Sequence, residues 1–342
     1  MHAFHVPIGR WYQVALSLDF ILRILLFPGF SFILTLTLIC DWIERKIEAR
    51  IQNRMGPTYT GPAGILQPIA DFIKLLSKED IVPIGARKFL FLSSGVLAVS
   101  IFIFTFLFLP INSRFGVFEW SFEGDLILVL AMISVANFFL FISGWASNNP
   151  YGVIGANRIL IQLLGYDIPL FFLALAPAFL AGSLSLSEIA SRQRIPFALI
   201  IPWAFILFII ALQAELEKDP FDIPHAETEV VGGYETEYSG KKLAFLKLAK
   251  DVQILLGAAL TVELFLGGPY GPVLYGPPAI WYTLWFVLKL FVVVVISEYL
   301  ACIFARLRID QVVAGNWRVI LPASLMSLLL AVIIRCWLFP TV

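Results

Sequence analysis

Eight apolar stretches, each long enough to cross a bilayer, constrain this chain more than any other feature. They run near Phe20–Trp42, Lys88–Pro110, Asp125–Trp145, Gly155–Ala181, Phe197–Ala214, Leu243–Gly267, Ala279–Phe304 and Val319–Phe339. A hydrocarbon core about 30 Å thick is crossed by roughly 20 apolar helical residues. Inside it every backbone polar group has to be satisfied by the segment itself, which leaves helices as the spanning form for runs of this length. The pattern predicts an all-α polytopic membrane protein with about eight transmembrane helices, forming a single membrane domain over residues 1–342. Composition agrees: 60% of residues are hydrophobic and 14% charged, against about 25% charged in soluble domains. Lys+Arg 24 balances Asp+Glu 24, which excludes a basic nucleic-acid binder and an acidic disordered chain. The first run is too long for a cleaved signal peptide, and no small-residue cleavage pattern follows it.

The charged residues between the runs set the topology. Arg45, Lys46, Arg50, Arg54, Lys74, Lys78, Arg87 and Lys88 follow the first run; Lys218, Lys241 and Lys242 follow the fifth; Arg306, Arg308 and Arg318 follow the seventh. The opposite side has little beyond Arg10, Arg114, Arg192 and Arg194. The positive-inside rule assigns the richer loops to the cytoplasm, which puts both termini of a multi-pass cell-membrane protein outside. Two cytoplasmic loops are large, 44–87 and 215–242. Within the first, apolar residues at 65, 66, 69, 72, 73 and 76 follow helical spacing over a stretch too short to span, predicting an amphipathic interfacial helix.

Titratable residues carry the functional signal. The second loop holds Glu215, Glu217, Asp219, Asp222, Glu227, Glu229, Glu235 and Glu237 against Lys218, interleaved with Pro220, Phe221, Ile223, Pro224, Val230, Val231 and Tyr234. A solvated acidic face needs no such apolar interleaving, whereas carboxylates crowded into a partly dry site can exchange protons near neutral pH. Inside the runs stand Arg158, Asp167, Lys250, Asp251, Glu263, Lys289 and Glu298. Each costs about 2.5–3.5 kcal/mol at mid-bilayer if unpaired, so they are expected to face the bundle interior or water, either as ion pairs or along an ion path. Pro169 and Pro177 free backbone carbonyls in the fourth run, which then need other partners. Cys40, Cys302 and Cys336 are far apart, and His2, His5 and His225 lie outside the apolar runs, so no metal, cluster or haem is assigned to this chain. No Walker A, GxSxG or HExxH motif is present.

Four charged blocks resemble the eight-helix membrane subunit that joins the two arms of respiratory complex I, with homologues in membrane-bound nickel–iron hydrogenases and archaeal sulfane reductase complexes. The first runs from Glu44-Arg45-Lys46 through Arg50, Arg54-Met55-Gly56-Pro57 and Gly61-Pro62 to Asp71, Lys74 and Lys78-Glu79. The second is Gly144-Trp145-Ala146-Ser147-Asn148-Asn149 with Gly155-Ala156-Asn157-Arg158. The third is Ala214-Glu215, Pro220-Phe221-Asp222-Ile223-Pro224, Glu227, Glu229 and Glu237-Tyr238-Ser239-Gly240. The fourth holds Arg306, Arg308, Asp310-Gln311 and Trp317-Arg318.

The resemblance implies a subunit without a redox centre of its own. Its partners would be the hydrogenase-like large and small subunits of a peripheral arm carrying iron–sulfur clusters (and a nickel–iron centre in hydrogenase members), antiporter-like membrane subunits, and the lipid bilayer. Electron transfer would be coupled to H+ or Na+ translocation. On this reading Asp167, Glu215, Asp222, Glu227, Glu229, Glu237, Glu263, Lys289 and Glu298 form the ion path, while Arg45, Arg50, Arg54, Asp71, Lys74, Arg158, Arg306, Arg308 and Asp310 dock the peripheral arm. The sequence departs from the complex I pattern at His225, where many members are acidic, at Lys250-Asp251, where a Glu-Tyr pair is usual, and at Ala301, where arginine is expected. These departures resemble the ferredoxin-fed branch that reduces protons or sulfur compounds; a complex I proper that reduces quinone at the junction stands as the alternative. Two readings of other classes are a stand-alone ion transporter and an inert membrane anchor.

Overall fold

The computed structural model describes residues 18–112, 122–273 and 275–338, and all the regular elements among them are helical. Arg10, Arg114, His2, His5 and Phe339 lie outside the described residues. The helices are α1 (Leu18–Leu25), α2 (Phe30–Ile51), α3 (Gln67–Ser77), α4 (Lys88–Phe106), α5 (Asp125–Ala146), α6 (Pro150–Ala181), α7 (Leu186–Arg192), α8 (Phe197–Ile200), α9 (Pro202–Glu215), α10 (Glu227–Val230), α11 (Gly240–Phe265), α12 (Pro278–Ile303), α13 (Ile309–Gly315) and α14 (Leu321–Leu338).

Six helical stretches are long and apolar enough to cross a membrane: Leu22–Ile51, Lys88–Phe106, Asp125–Ala146, Pro150–Ala181, Pro278–Ile303 and Ile309–Trp337. The protein is thus an all-α, multi-pass membrane protein. The other two expected spans are helical as well. The fifth breaks at Ile201, and Pro202 opens the 14-residue α9 at the first helical position, where a missing N–H costs nothing. The sixth, α11, is 26 residues long but carries Lys241, Lys242, Lys247, Lys250, Asp251 and Glu263.

Helix α11 lies at the centre, against α2, α3, α4 and α12, and every residue from Leu255 to Phe265 is buried. Glu263 therefore faces protein, and Lys242 is buried too, whereas Lys241 and Lys247 are exposed. Helix α5 packs between α4 and α6, and α6 also supports α9 and α14. In α6, Pro169 has no N–H to offer the carbonyl of Gly165, one turn earlier. The side-chain amide of Asn316 donates to that carbonyl instead. At the far end of α6, Arg335 donates to Phe179 O at 2.7 Å and Arg192 to Ala181 O at 2.6 Å, capping carbonyls that no helical N–H reaches.

The amphipathic helix is α3, packed on α2 and α11, with Ile69 and Ile73 left exposed. Helix α2 continues to Ile51, so Glu44, Arg45 and Arg50 sit on a helix and not in the loop expected from residue 44. The acidic loop, 216–239, is folded onto the bundle around Tyr234, which is fully buried. Glycines admit it. A Cβ on Gly144 would meet Tyr234 Cβ at 2.6 Å, and one on Gly155 would meet Tyr234 N at 2.8 Å. Gly233 has φ +57, and a Cβ there would lie 2.0 Å from Pro224 O.

Candidate functional site

Glu217 is the centre of a buried charge cluster within the loop. Its backbone has φ +51, a left-handed conformation that L side chains adopt at a cost. The Lys250 ammonium from α11 forms an ion pair with its carboxylate, and His225 Nε2 lies 3.4 Å away. The His225 and Tyr234 rings are 4.8 Å apart, with Lys250 Nζ 5.9 Å from the same tyrosine ring. Burial opposes ionisation of Glu217, but Lys250 and His225 outweigh it and hold the carboxyl down at about 2. Burial likewise disfavours a charged His225, yet its hydrogen bond to Glu217 and the charge of Glu235 push its pKa above the usual histidine value. Asp222 moves the other way from Glu217: burial raises it, and its Oδ1 is buried without a hydrogen bond. Carboxyls with opposed shifts in one cluster divide the holding and releasing of protons between them.

Glu215, at the end of α9, belongs to a second group. Asn137 Nδ2 donates to Glu215 Oε1, and Gln253 Nε2 donates to both Asn137 Oδ1 and Glu215 O at 2.9 Å. Asp167, on α6, stands beside Glu215. Both line a cavity of about 330 Å³ with Ser134, Leu130 and Phe171. On the other side a void of about 10 Å³ is lined by Asn137, Gln162, Glu215 and Glu217. That is close to the size one water needs. Gln162 donates to Ala214 O and Phe221 O while its Oε1 is buried with no hydrogen bond. The void is therefore polar and shared by the two glutamates.

Lys218, the next residue, serves a third group. Its Nζ lies 2.8 Å from Glu44 Oε1 and 3.1 Å from Glu298 Oε2. Burial disfavours the ammonium, but the two carboxylates outweigh it and raise its pKa. Asp251 on α11 is within electrostatic reach of Asp41, Glu44, Arg45 and Lys218. Arg45 ties Asp41 at 2.8 Å to Asp71 at 2.6 Å, and Lys74 adds a 3.0 Å contact to Asp71. Burial works against the Asp71 carboxylate, and the two cations nonetheless hold its pKa below the usual range. A chain of charges thus runs from the loop to the amphipathic helix, with carboxylates of like sign meeting around Asp251.

At the surface of the loop, Glu229 is clamped between Arg158 at 2.7 Å and Arg306 at 3.0 Å, and the hydrogen bond from Arg158 lowers its pKa. Arg158 also donates to Ile223 O at 3.2 Å. Glu237 accepts from Asn149 Nδ2. Arg54 pairs with Glu48, Arg50 is exposed, and Arg308 and Asp310 are exposed and 3.9 Å apart. The side chain of Glu227 lies outside the described part of the structure.

The structure brings Glu298 to Lys218 but keeps Glu263 and Lys289 away from these groups. Glu263 stands 13 residues beyond Lys250 on α11, about 20 Å along the axis by helical rise. Among the described residues no group of three or more His, Cys, Asp or Glu side chains is arranged to hold a metal ion. Sequence reasoning leaves out Glu217, Lys218, His225, Glu44 and Asp251 as site members, and the amides Asn137, Gln162 and Gln253 altogether. Amides inside apolar runs are the available signal: buried polar groups need partners, and these find them on carboxylates and carbonyls.

These features define a polytopic helical membrane protein with one group of titratable side chains at the acidic-loop end of the bundle and Glu263 and Lys289 apart from it. The family model described as NADH dehydrogenase matches residues 24–332, and the chain belongs to that family. It is 38% identical over 301 residues to the NADH-quinone oxidoreductase subunit designated H in Dehalococcoides mccartyi, covering 88% of this chain and 83% of the relative. The corresponding protein of Carboxydothermus hydrogenoformans is 34% identical, with 92% and 89% covered. That of Geobacillus kaustophilus is 37% identical, with 86% and 88% covered.

Proposed function

We propose that this chain is the membrane subunit of a complex I-related oxidoreductase. It links an iron–sulfur peripheral arm to antiporter-like, ion-translocating subunits, and couples electron transfer to the movement of H+ or Na+. The observation that carries this reading is the polar void shared by Glu215 and Glu217, with Asp167 and Glu215 together lining a second cavity. A charge change at the docking face, where Arg158 and Arg306 hold Glu229, reaches Glu217 through the folded loop. Glu217 exchanges its partner across the void, and Glu215 and Asp167 pass the change into the bundle. Coupling of this kind requires two discrete arrangements of the loop, which is what the experiment probes.

An inert anchor is disfavoured because buried charges cost stability that leucine would not. A stand-alone transporter leaves the docking loops without a purpose. The relatives' names supply quinone as the acceptor. A second reading has its own observation: His225 and Lys250, two positions at which this sequence departs from the complex I pattern, both contact Glu217. It assigns the chain to the ferredoxin-fed branch, reducing protons or sulfur compounds.

The test is the purified complex in liposomes with Asp222→Asn and, separately, Glu229→Gln. Electron transfer that persists while ion movement falls supports the proposal; ion movement undiminished in both variants overturns it. Mass spectrometry of the intact complex separates the branches, since bound nickel marks a hydrogenase and bound quinone a quinone reductase.

A further inference from the structure

The end of the bundle opposite the acidic loop holds a second titratable group, built around Glu263 and Lys289. Lys289 Nζ donates to Leu266 O at 2.8 Å, Gly268 O at 2.9 Å and Tyr270 O at 2.8 Å. These carbonyls belong to the turn that closes α11. An ammonium has three hydrogens, and all three are taken by this carbonyl cup. Glu263 is fully buried, and neither Oε1 nor Oε2 has a hydrogen-bond donor. Lys289 thus supplies Glu263 with charge but with no hydrogen bond. Gly268 packs over the carboxylate so closely that a Cβ there would lie 2.4 Å from Glu263 Oε2 and 2.8 Å from Ala190 Cβ. Gln193 Nε2 donates to the backbone carbonyls of Glu263 and Leu264, which leaves the side-chain oxygens free.

Asp125, at the start of α5, is within electrostatic reach of Glu263, and its carboxylate accepts from Leu186 N at 2.7 Å and from Ser185 Oγ at 3.3 Å. On α7, Glu188 and Arg192 pair with each other at 2.7 Å. Ser187 Oγ, one turn before Ala190 on α7, is also buried without a partner. Two unpaired oxygens on a sequestered carboxylate, beside a lysine whose hydrogens are all engaged, form an acceptor site that no donor among the described residues fills.

We propose that Glu263 binds a small exchangeable monovalent cation, a proton or Na+, and that Lys289, held in its carbonyl cup, weakens this binding enough for release. Glu263 is then an exit or entry point at the membrane face opposite the acidic loop. The proposal builds on the coupling role given above, but its test needs no turnover.

The intact purified complex is treated with a hydrophobic carbodiimide, which modifies protonated carboxyls, and Glu263 labelling is read by peptide mass spectrometry across pH, in NaCl or in KCl. Labelling that NaCl suppresses and KCl does not identifies Na+. Labelling that falls only as pH rises identifies the proton. Lys289→Met removes the repelling charge, and the half-point is expected to shift by at least tenfold, to lower Na+ or higher pH. Glu263 left unlabelled under every condition, while other carboxyls of the complex react, overturns the proposal. So does a half-point that Lys289→Met leaves unmoved. Should ion pumping survive loss of the acidic loop's carboxylates, the coupling reading fails while this labelling result stands on its own.

Discussion

Lys250 and Glu217 form a buried ion pair that joins the central helix α11 to the acidic loop across 33 residues of sequence. Removing either partner leaves the other charge largely buried and without its counter-ion, whereas replacing both with apolar residues is far milder. Lys250→Met is expected to destabilise the protein by about 3–5 kcal/mol, read as a lower unfolding temperature of the purified complex. The double variant Lys250→Met with Glu217→Leu is expected to recover most of that loss.

The same cluster sets a pH window. Glu217 has a folded value of about 2 against an ordinary 4.5, so its contribution is complete above pH 4.5 and is lost as pH falls toward about 2. His225 is raised above 6.5, so its contribution is complete below pH 6.5 and is lost as pH rises through the raised value. Thermal unfolding across pH is expected to show both limbs. His225→Gln is expected to abolish the alkaline limb and to weaken the acid one, because His225 is one of the two groups that hold Glu217 down.

Asn137 donates to Glu215 and accepts from Gln253, so it orients a carboxyl that faces the void. Asn137→Leu strands polar atoms on both neighbours, at a cost of about 1–3 kcal/mol. Ion movement per electron is expected to fall in liposomes. An undiminished ratio would limit Asn137 to a packing role.

Gly233 combines φ +57 with a Cβ position 2.0 Å from Pro224 O, so Gly233→Ala has no local remedy and displaces the loop. Its expected result is loss of peripheral-arm subunits on copurification. Gly276, with φ +84 and nothing within 4 Å of its Cβ position, is the control: alanine there is strained by backbone alone and is expected to keep the arm bound.

The helices are legible in the sequence because a bilayer imposes one requirement on every span, and apolar runs report it directly. Amphipathic α3 and the pairing of Asp71 with basic neighbours are also within reach, since helical spacing places residues on faces. The Glu217 cluster is not. Glu217 and His225 share the loop while Lys250 comes from α11, and no spacing rule brings the three together. The break at Ile201 hides inside a continuous apolar run because hydropathy says nothing about backbone geometry, although Pro202 marks the place. For Pro169 the sequence predicts a stranded carbonyl, but its partner, Asn316, lies 151 residues away from Gly165. Glu263 and Lys289 are recognisable in the sequence as an acid and a base within apolar runs. Their separation from the loop, and the carbonyls that hold the lysine, depend on tertiary packing.

Glu217 and Lys218 are consecutive residues, yet one engages Lys250 and His225 while the other engages Glu44 and Glu298. The peptide unit between them is a crank with an arm on each side. Turning it in either direction pulls on α11 through one arm and on α2 and α12 through the other, so a disturbance delivered to this point is shared among three helices at once.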